Sequence, residues 1–126
     1  MDFEAAEAAY EAIRNSSTDV SHIAATTGCK RANIAKVKTH LFYAIHLLDR
    51  YEHLGIPADR RKFDADMRIA EAWGRLESGR GTPADIRLLK HEIAEAWYMR
   101  GHGPSYAQAH AAAQRRYPSP FEGPER

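Results

Sequence analysis

The sequence predicts an all-α, single compact domain of five or six helices, on three observations. Apolar residues recur at three- and four-residue spacing along most of the chain. The breaks between these stretches are short and rich in glycine, proline and capping residues. No stretch alternates apolar and polar residues as a half-buried strand does. A chain of 126 residues suits one domain with a real core and is too short for two ordinary ones. The domain is placed at residues 1–117, with a flexible tail at 118–126.

The first helix is expected over about residues 2–14, where Phe3, Ala6, Tyr10 and Ile13 share a face. A second begins near Asp19, and Ile23, Ala24, Gly28, Ile34 and Val37 then follow the spacing of a helix-turn-helix corner at about 19–41. The alanine lets two helices approach, the glycine makes the turn, and the later aliphatics lock the second helix onto the first. Lys30, Arg31 and Asn33 open that second helix, with Lys36 and Lys38 further along it, where a nucleic-acid reader places its contacts. The helical pattern continues through His40, Phe42, His46, Leu48 and Arg50 to about His53, which predicts one long central helix. Gly55, Pro57 and residues 59–62 form a turn or linker.

Asp64 or Asp66 caps the next helix, whose buried side carries Met67, Ala70, Trp73 and Leu76 before Gly79 and Gly81 end it. Thr82 as cap, Pro83 at the first position and Asp85 at the positive end predict a helix over about 83–100, closed by Gly101. At about 100° per residue, Ile86, Leu89, Ile93, Ala96 and Trp97 face the core, His91 and Glu95 stack on the other side, and Glu92 falls at the border. Ser105 and Gln108 have capping-box spacing and start a last helix with Tyr106 and His110 on one face. A short loop between these two helices makes them antiparallel and brings His110 back toward His91. Beyond Tyr117 the prolines forbid a helix and predict an extended, mobile end.

The formal net charge of +1 conceals an uneven distribution. Asp2, Glu4, Glu7, Glu11 and Asp19 make the start acidic, whereas Lys30, Arg31, Lys36, Lys38, Arg50 and residues 60–62 make the middle basic, which suits contact with phosphate. No apolar run approaches the roughly 20 residues that span a bilayer, and residues 1–14 do not resemble a signal peptide, so no membrane partner is expected. The lone Cys29 excludes an internal disulfide and a cysteine-rich zinc site.

The chemistry-bearing residues gather at His91, Glu92, Glu95 and His110, with His40, His46 and Lys38 as further candidates. A metal-independent ribonuclease needs a base, an acid and a cation for the phosphate. His91 or His110 fits acid or base, Glu92 or Glu95 fits base or orienting partner, and Lys38 with His40 fits the phosphate-facing pair. The order His91-Glu92-x-x-Glu95 also matches the helical zinc-peptidase pattern with its second histidine replaced by glutamate, and the third ligand is then His110, His102 or His46. Carboxylates and histidines equally suit a divalent metal in phosphodiester cleavage, so the cofactor is either none or a divalent cation. His22, His53 and His102 read as surface residues. A non-enzymatic helix-turn-helix DNA-binding regulator is the alternative from a different class.

Several short blocks in a fixed order resemble a known family. They are Ile-Ala-x-x-Thr-Gly at 23–28, Val-Lys-Thr-His-Leu-Phe at 37–42, His46, Arg-Lys-Phe-Asp-Ala-Asp at 61–66, Ala-Trp-Gly-Arg-Leu at 72–76, Asp-Ile-Arg-Leu-Leu-Lys-His-Glu-Ile-Ala-Glu at 85–95 and Tyr-Ala-Gln-Ala-His at 106–110. Together, over about residues 17–117, they resemble a helical C-terminal module of bacterial polymorphic toxins of the Rhs, contact-dependent and WXG-associated kinds. The resemblance implies secretion as part of a larger carrier, action in the cytoplasm of a competing bacterium and neutralisation by a cognate immunity protein. The activity it implies most often is nuclease cleavage of RNA or DNA, a fold-level analogy.

Overall fold

Phe3, Ala6, Tyr10 and Ile13 fall on one side of the first helix, α1 (Phe3–Asn15), which lays Ala6 and Tyr10 into the core. The computed structural model describes residues 3–44, 46–48, 54, 55, 57, 59–102 and 106–120. The helix-turn-helix-like corner follows as α2 (Asp19–Thr27) and α3 (Arg31–Lys38). Gly28 turns the chain at φ 73°, a left-handed conformation that favours glycine, and its N–H donates to the Ala24 carbonyl at 3.0 Å. Ile23, Ile34 and Val37 are fully buried, as the corner's spacing requires.

The expected long helix stops early. After Lys38 the helix widens into one π-helical turn, Thr39–Tyr43, and Ala44 leaves it in an extended conformation (φ −69°, ψ 148°). Two contacts from α1 hold this end: Arg14 Nε donates to the Phe42 carbonyl at 2.6 Å, and the Tyr43 hydroxyl donates to the Arg14 carbonyl. The chain then forms a short antiparallel pair of strands, β1 (His46–Leu48) and β2 (Asp59–Arg61), with His46 opposite Arg61 and Leu48 opposite Asp59. The sequence shows no strand pattern here because three residues are too few to reveal an alternation. Arg50 and His53, expected at the end of the long helix, lie outside the described residues.

Asp66 caps α4 (Met67–Glu77) by accepting from the Arg68 N–H at 2.9 Å, while Asp64 pairs with Arg61 at 2.7 Å. Thr82 and Asp85 form a reciprocal cap at the start of α5 (Pro83–His102). The Asp85 N–H donates to Thr82 Oγ1 at 3.1 Å and the Thr82 N–H to Asp85 Oδ2 at 3.0 Å. Arg75 of α4 grips the same carboxylate through both oxygens, at 2.8 and 2.9 Å. That hydrogen bond holds the Asp85 carboxyl below its ordinary range despite its burial. Gly101 does not end α5, which continues through His102.

The last helix, α6 (Tyr106–Arg116), packs on α5, as expected of a helical hairpin, and also touches β1. Ser105, the expected cap of α6, lies outside the described residues. The tail is not free at once: Ser119 is buried, and its N–H donates to Gln114 Oε1 at 2.8 Å.

The core runs between α1, α2, α3 and α4, where Tyr10, Phe42 and Trp73 meet edge to face at 4.7 and 5.2 Å, with Ile23, Ile69, Leu76 and Leu89 around them. None of the described helices is long and apolar enough to cross a membrane.

Candidate metal centre

On α5 the expected core face is kept only in part, with Leu89 buried and Ile86 and Ile93 packed against the core, and a second face is buried besides. His91, Glu92 and Glu95 have no solvent exposure, whereas Trp97, expected in the core, is 55% exposed and Ile86 and Ile93 are only partly covered. The cause is packing on several sides. Leu88, Leu89 and Asp85 meet α4, and the intervening positions 91, 92 and 95 turn toward α6 and the π turn.

Glu95 is the hub of the site. Its Oε1 lies 2.8 Å from His40 Nε2, and its Oε2 lies 3.2 Å from His91 Nε2 and 2.9 Å from His110 Nδ1. Glu92 stands just behind, with Oε1 3.8 Å from His40 Nε2 and Oε2 3.8 Å from His91 Nε2. The rings of His91 and His110 meet edge to face at 4.9 Å, and His40 is wedged against Phe63 at 5.3 Å. Of the five residues, only His110 is appreciably open, with a quarter of its side chain exposed (25%).

His91 Nδ1–H donates to the Tyr117 carbonyl at 2.7 Å, which fixes the ring and turns Nε2 toward Glu95. Burial by itself lowers the His91 pKa. The hydrogen bond to Glu95, the charges of Glu92 and Glu95 and the Tyr117 carbonyl outweigh it and raise the pKa above the ordinary imidazole value. Two carboxylates sealed from water need positive charge beside them, which protons on the imidazoles or a bound cation supply.

The donor atoms of His91, Glu95 and His110 all lie within 4.8 Å of one another, and the same holds for His40, Glu92 and Glu95. Two imidazoles and one carboxylate are the donors of a common catalytic zinc site, and a ring held by a backbone carbonyl is how ligand histidines are usually oriented. Of the three candidates for the third ligand, the structure brings His110 to the His-Glu helix. His46 sits at the start of β1, and its side chain, like those of His53 and His102, lies outside the described residues.

Lys38 does not join His40. Its Nζ is buried on the other side of α3, 2.9 Å from Asp19 Oδ1 and 2.9 Å from the Ser16 carbonyl, so the expected phosphate-facing pair is not formed. Lys30, Arg31 and Lys36 are exposed on α3 and Asn33 is half-buried. Asn33 and Lys36 border a small cavity with Ile93, Ala96 and Trp97 of α5, so that face of α3 is turned toward its neighbour. His22 is a surface residue near Glu77, 3.6 Å away.

Sequence reasoning missed the Tyr117 carbonyl, which as a backbone group leaves no side-chain signal. It also missed a groove of about 630 Å³ between α5 and α6. Lys90, Arg115 and Arg116 line it together with Trp97, Tyr98 and Tyr117, and no acid is among its described lining residues. Tyr117 belongs to both features, since its carbonyl orients His91. No protein-family model, curated protein or solved structure matches this chain.

Proposed function

We propose that the chain is a metal-dependent nuclease, with a divalent cation held by His91, Glu95 and His110 and with Glu92 as the general base. One observation carries the reading: Glu95 Oε2 is met by His91 Nε2 at 3.2 Å and His110 Nδ1 at 2.9 Å in a site that is buried except at His110. Ligands about 2.0–2.2 Å from a tetrahedral ion stand roughly 3.3–3.5 Å apart, so a small expansion of this triangle accepts the ion.

When bound, the cation polarises a phosphate oxygen and lowers the pKa of water. Glu92, next to His91 in the chain, takes the proton as the water oxygen attacks phosphorus. The bond to the leaving oxygen then breaks, and that oxygen takes the proton back from Glu92. A groove between α5 and α6 bears on the choice of substrate: it shares Tyr117 with the site, although none of the five site side chains lines it. Its surface is mainly apolar: three aromatic rings suit stacked bases, and Lys90, Arg115 and Arg116 among its lining residues suit the phosphates of a single-stranded nucleic acid.

The toxin reading belongs to the same proposal: delivery by a larger secreted carrier and inhibition by an immunity protein, on the sequence resemblance. A helix-turn-helix regulator is the reading from a different class: Lys30, Arg31 and Lys36 are exposed at the second helix of the corner, while Asn33 is half-buried beside α5. Peptide hydrolysis is the second reading, favoured by the order His91-Glu92-x-x-Glu95 with His110 as third ligand.

The test incubates zinc- or manganese-loaded protein, chelator-stripped protein and loaded Glu92→Gln with RNA, single-stranded DNA and casein. Expected is nucleic-acid fragmentation by the loaded wild type alone, with Glu92→Gln slower by about 10²–10⁴-fold while keeping the His91–Glu95–His110 cation. Casein cleavage in place of nucleic-acid cleavage moves the assignment to a peptidase. No cleavage of any substrate by loaded protein overturns the enzyme reading. Inducible expression in a bacterium, scored for growth arrest lost in Glu92→Gln, tests toxicity.

A further inference from the structure

We propose that the site holds two divalent cations rather than one, the second bound by His40, Glu92 and Glu95. The proposal rests on the metal-dependent reading above and deepens it. Its ground is the way both carboxylates are split. Glu95 presents Oε2 to His91 and His110 and Oε1 to His40, at 2.8 Å. Glu92 is divided in the same sense, with Oε2 3.8 Å from His91 Nε2 and Oε1 3.8 Å from His40 Nε2. Glu95 therefore spans two sets of imidazole donors at close range, as a bridging carboxylate does in two-metal sites whose ions lie about 3.5–4 Å apart.

The second triad is complete without borrowing an imidazole from the first. Its donor atoms lie within 4.8 Å of one another, and all three residues are buried. The two gaps at His40 Nε2, 2.8 Å to Glu95 and 3.8 Å to Glu92, bracket the separation of roughly 3.3 Å expected between neighbouring ligands of a tetrahedral ion. His40 is set for this task by its backbone. It belongs to the π-helical turn, a feature frequent at functional sites, and the Phe63 ring braces it at 5.3 Å.

Charge points the same way. Two divalent cations against two carboxylates leave an excess of positive charge, which an anionic phosphodiester and a deprotonated water balance and a neutral peptide does not. Glu95 is then the bridging carboxylate, while Glu92 gives only Oε1 to the second cation and leaves Oε2, 3.8 Å from His91 Nε2, uncoordinated to take the proton.

The experiment strips the full chain with chelator, dialyses it against Zn²⁺ or Mn²⁺ and measures bound metal by mass spectrometry. The wild type is expected to hold two ions per chain, and His40→Ala and His110→Ala one each. Fully loaded Mn²⁺ wild type is expected to give an exchange-coupled paramagnetic resonance spectrum, and His40→Ala an isolated-ion spectrum. One ion per chain in the wild type, or equal content in wild type and His40→Ala, overturns the second site and leaves the first standing, with His40 only orienting Glu95. No bound ion in the wild type overturns both. Should His40→Ala not fold, the wild-type spectrum decides, since an isolated-ion signal at full loading overturns the proposal.

Discussion

Two buried charge networks lie on opposite sides of α3 and its π-helical extension, and they differ in how their charge is balanced. On one side Asp19 accepts from Lys38 Nζ at 2.9 Å, Trp73 Nε1 at 3.0 Å and the Val20 N–H at 2.8 Å. One acid meets one base there, both carboxylate oxygens have a donor, and the aromatic core closes over them. On the other side two carboxylates face three imidazoles, whose ring nitrogens are metal ligands as well as proton carriers. The first network is complete as it stands and holds helices together. The second can exchange its protons for a cation, which is what a chemical site requires and a structural pair avoids.

Removing the hub of the adjustable network has the largest expected effect. Glu95→Ala deletes a side chain that touches all three histidines. Outer-shell partners alone are worth about 10–100-fold in metal affinity, so the loss is expected to exceed 100-fold. Titration of chelator-stripped protein with Zn²⁺ measures it, and affinity within tenfold of the wild type contradicts the assignment of Glu95 as a ligand.

The balanced network breaks differently. Asp19→Ala leaves the Lys38 ammonium buried and unpaired, at an expected cost of about 3–5 kcal/mol in urea unfolding. The double change Asp19→Asn with Lys38→Met is expected to recover part of that loss, because no charge is left behind and the asparagine oxygen still accepts from Trp73, although the Val20 N–H loses its acceptor. Metal affinity per folded molecule is expected to stay unchanged in both variants. A parallel fall in metal affinity shows instead that the two networks are one unit.

The fold class, the two-helix corner, the cap at Thr82 and the return of His110 to the His-Glu helix were all legible in the sequence. Each rests on local spacing or on a short loop, and these survive tertiary packing. The inward turn of His91, Glu92 and Glu95 was not legible, because apolar periodicity names a core face only for a helix covered on one side. The partnership of His40 with Glu95 spans 55 positions, which no local pattern encodes. Its separation from Lys38 was legible in principle: residues two apart on a helix point about 200° apart, so one segment cannot aim both at one phosphate.

Acidity sharpens the contrast between the networks. The His91 pKa is raised in the folded chain, so its contribution to stability is present in full below the ordinary imidazole range and is lost as pH rises through the raised value. Chelated protein is therefore expected to melt at progressively lower temperature across that interval. Zinc competes with the same proton, so the stabilisation it adds is expected to grow over the same interval. Melting curves with chelator and with zinc, taken from acid to mildly alkaline pH, compare the two. Parallel curves remove His91 from the metal's ligands.

The smallest expected effect comes from the turn that aims both networks at once. Gly28 sets the angle of the segment that carries Lys38 toward Asp19 and His40 toward Glu95, and it does so at φ 73° with open space around it. Gly28→Ala meets no neighbouring atom within 4 Å, so its cost is backbone strain alone, about 1–2 kcal/mol. If the segment keeps its direction under that strain, urea unfolding shifts by this amount while zinc affinity and metal content per folded molecule do not change. If the strain is relieved by rotating α3 instead, His40 moves away from Glu95 and metal content falls with little loss of stability, which locates the coupling between the two networks in the corner itself.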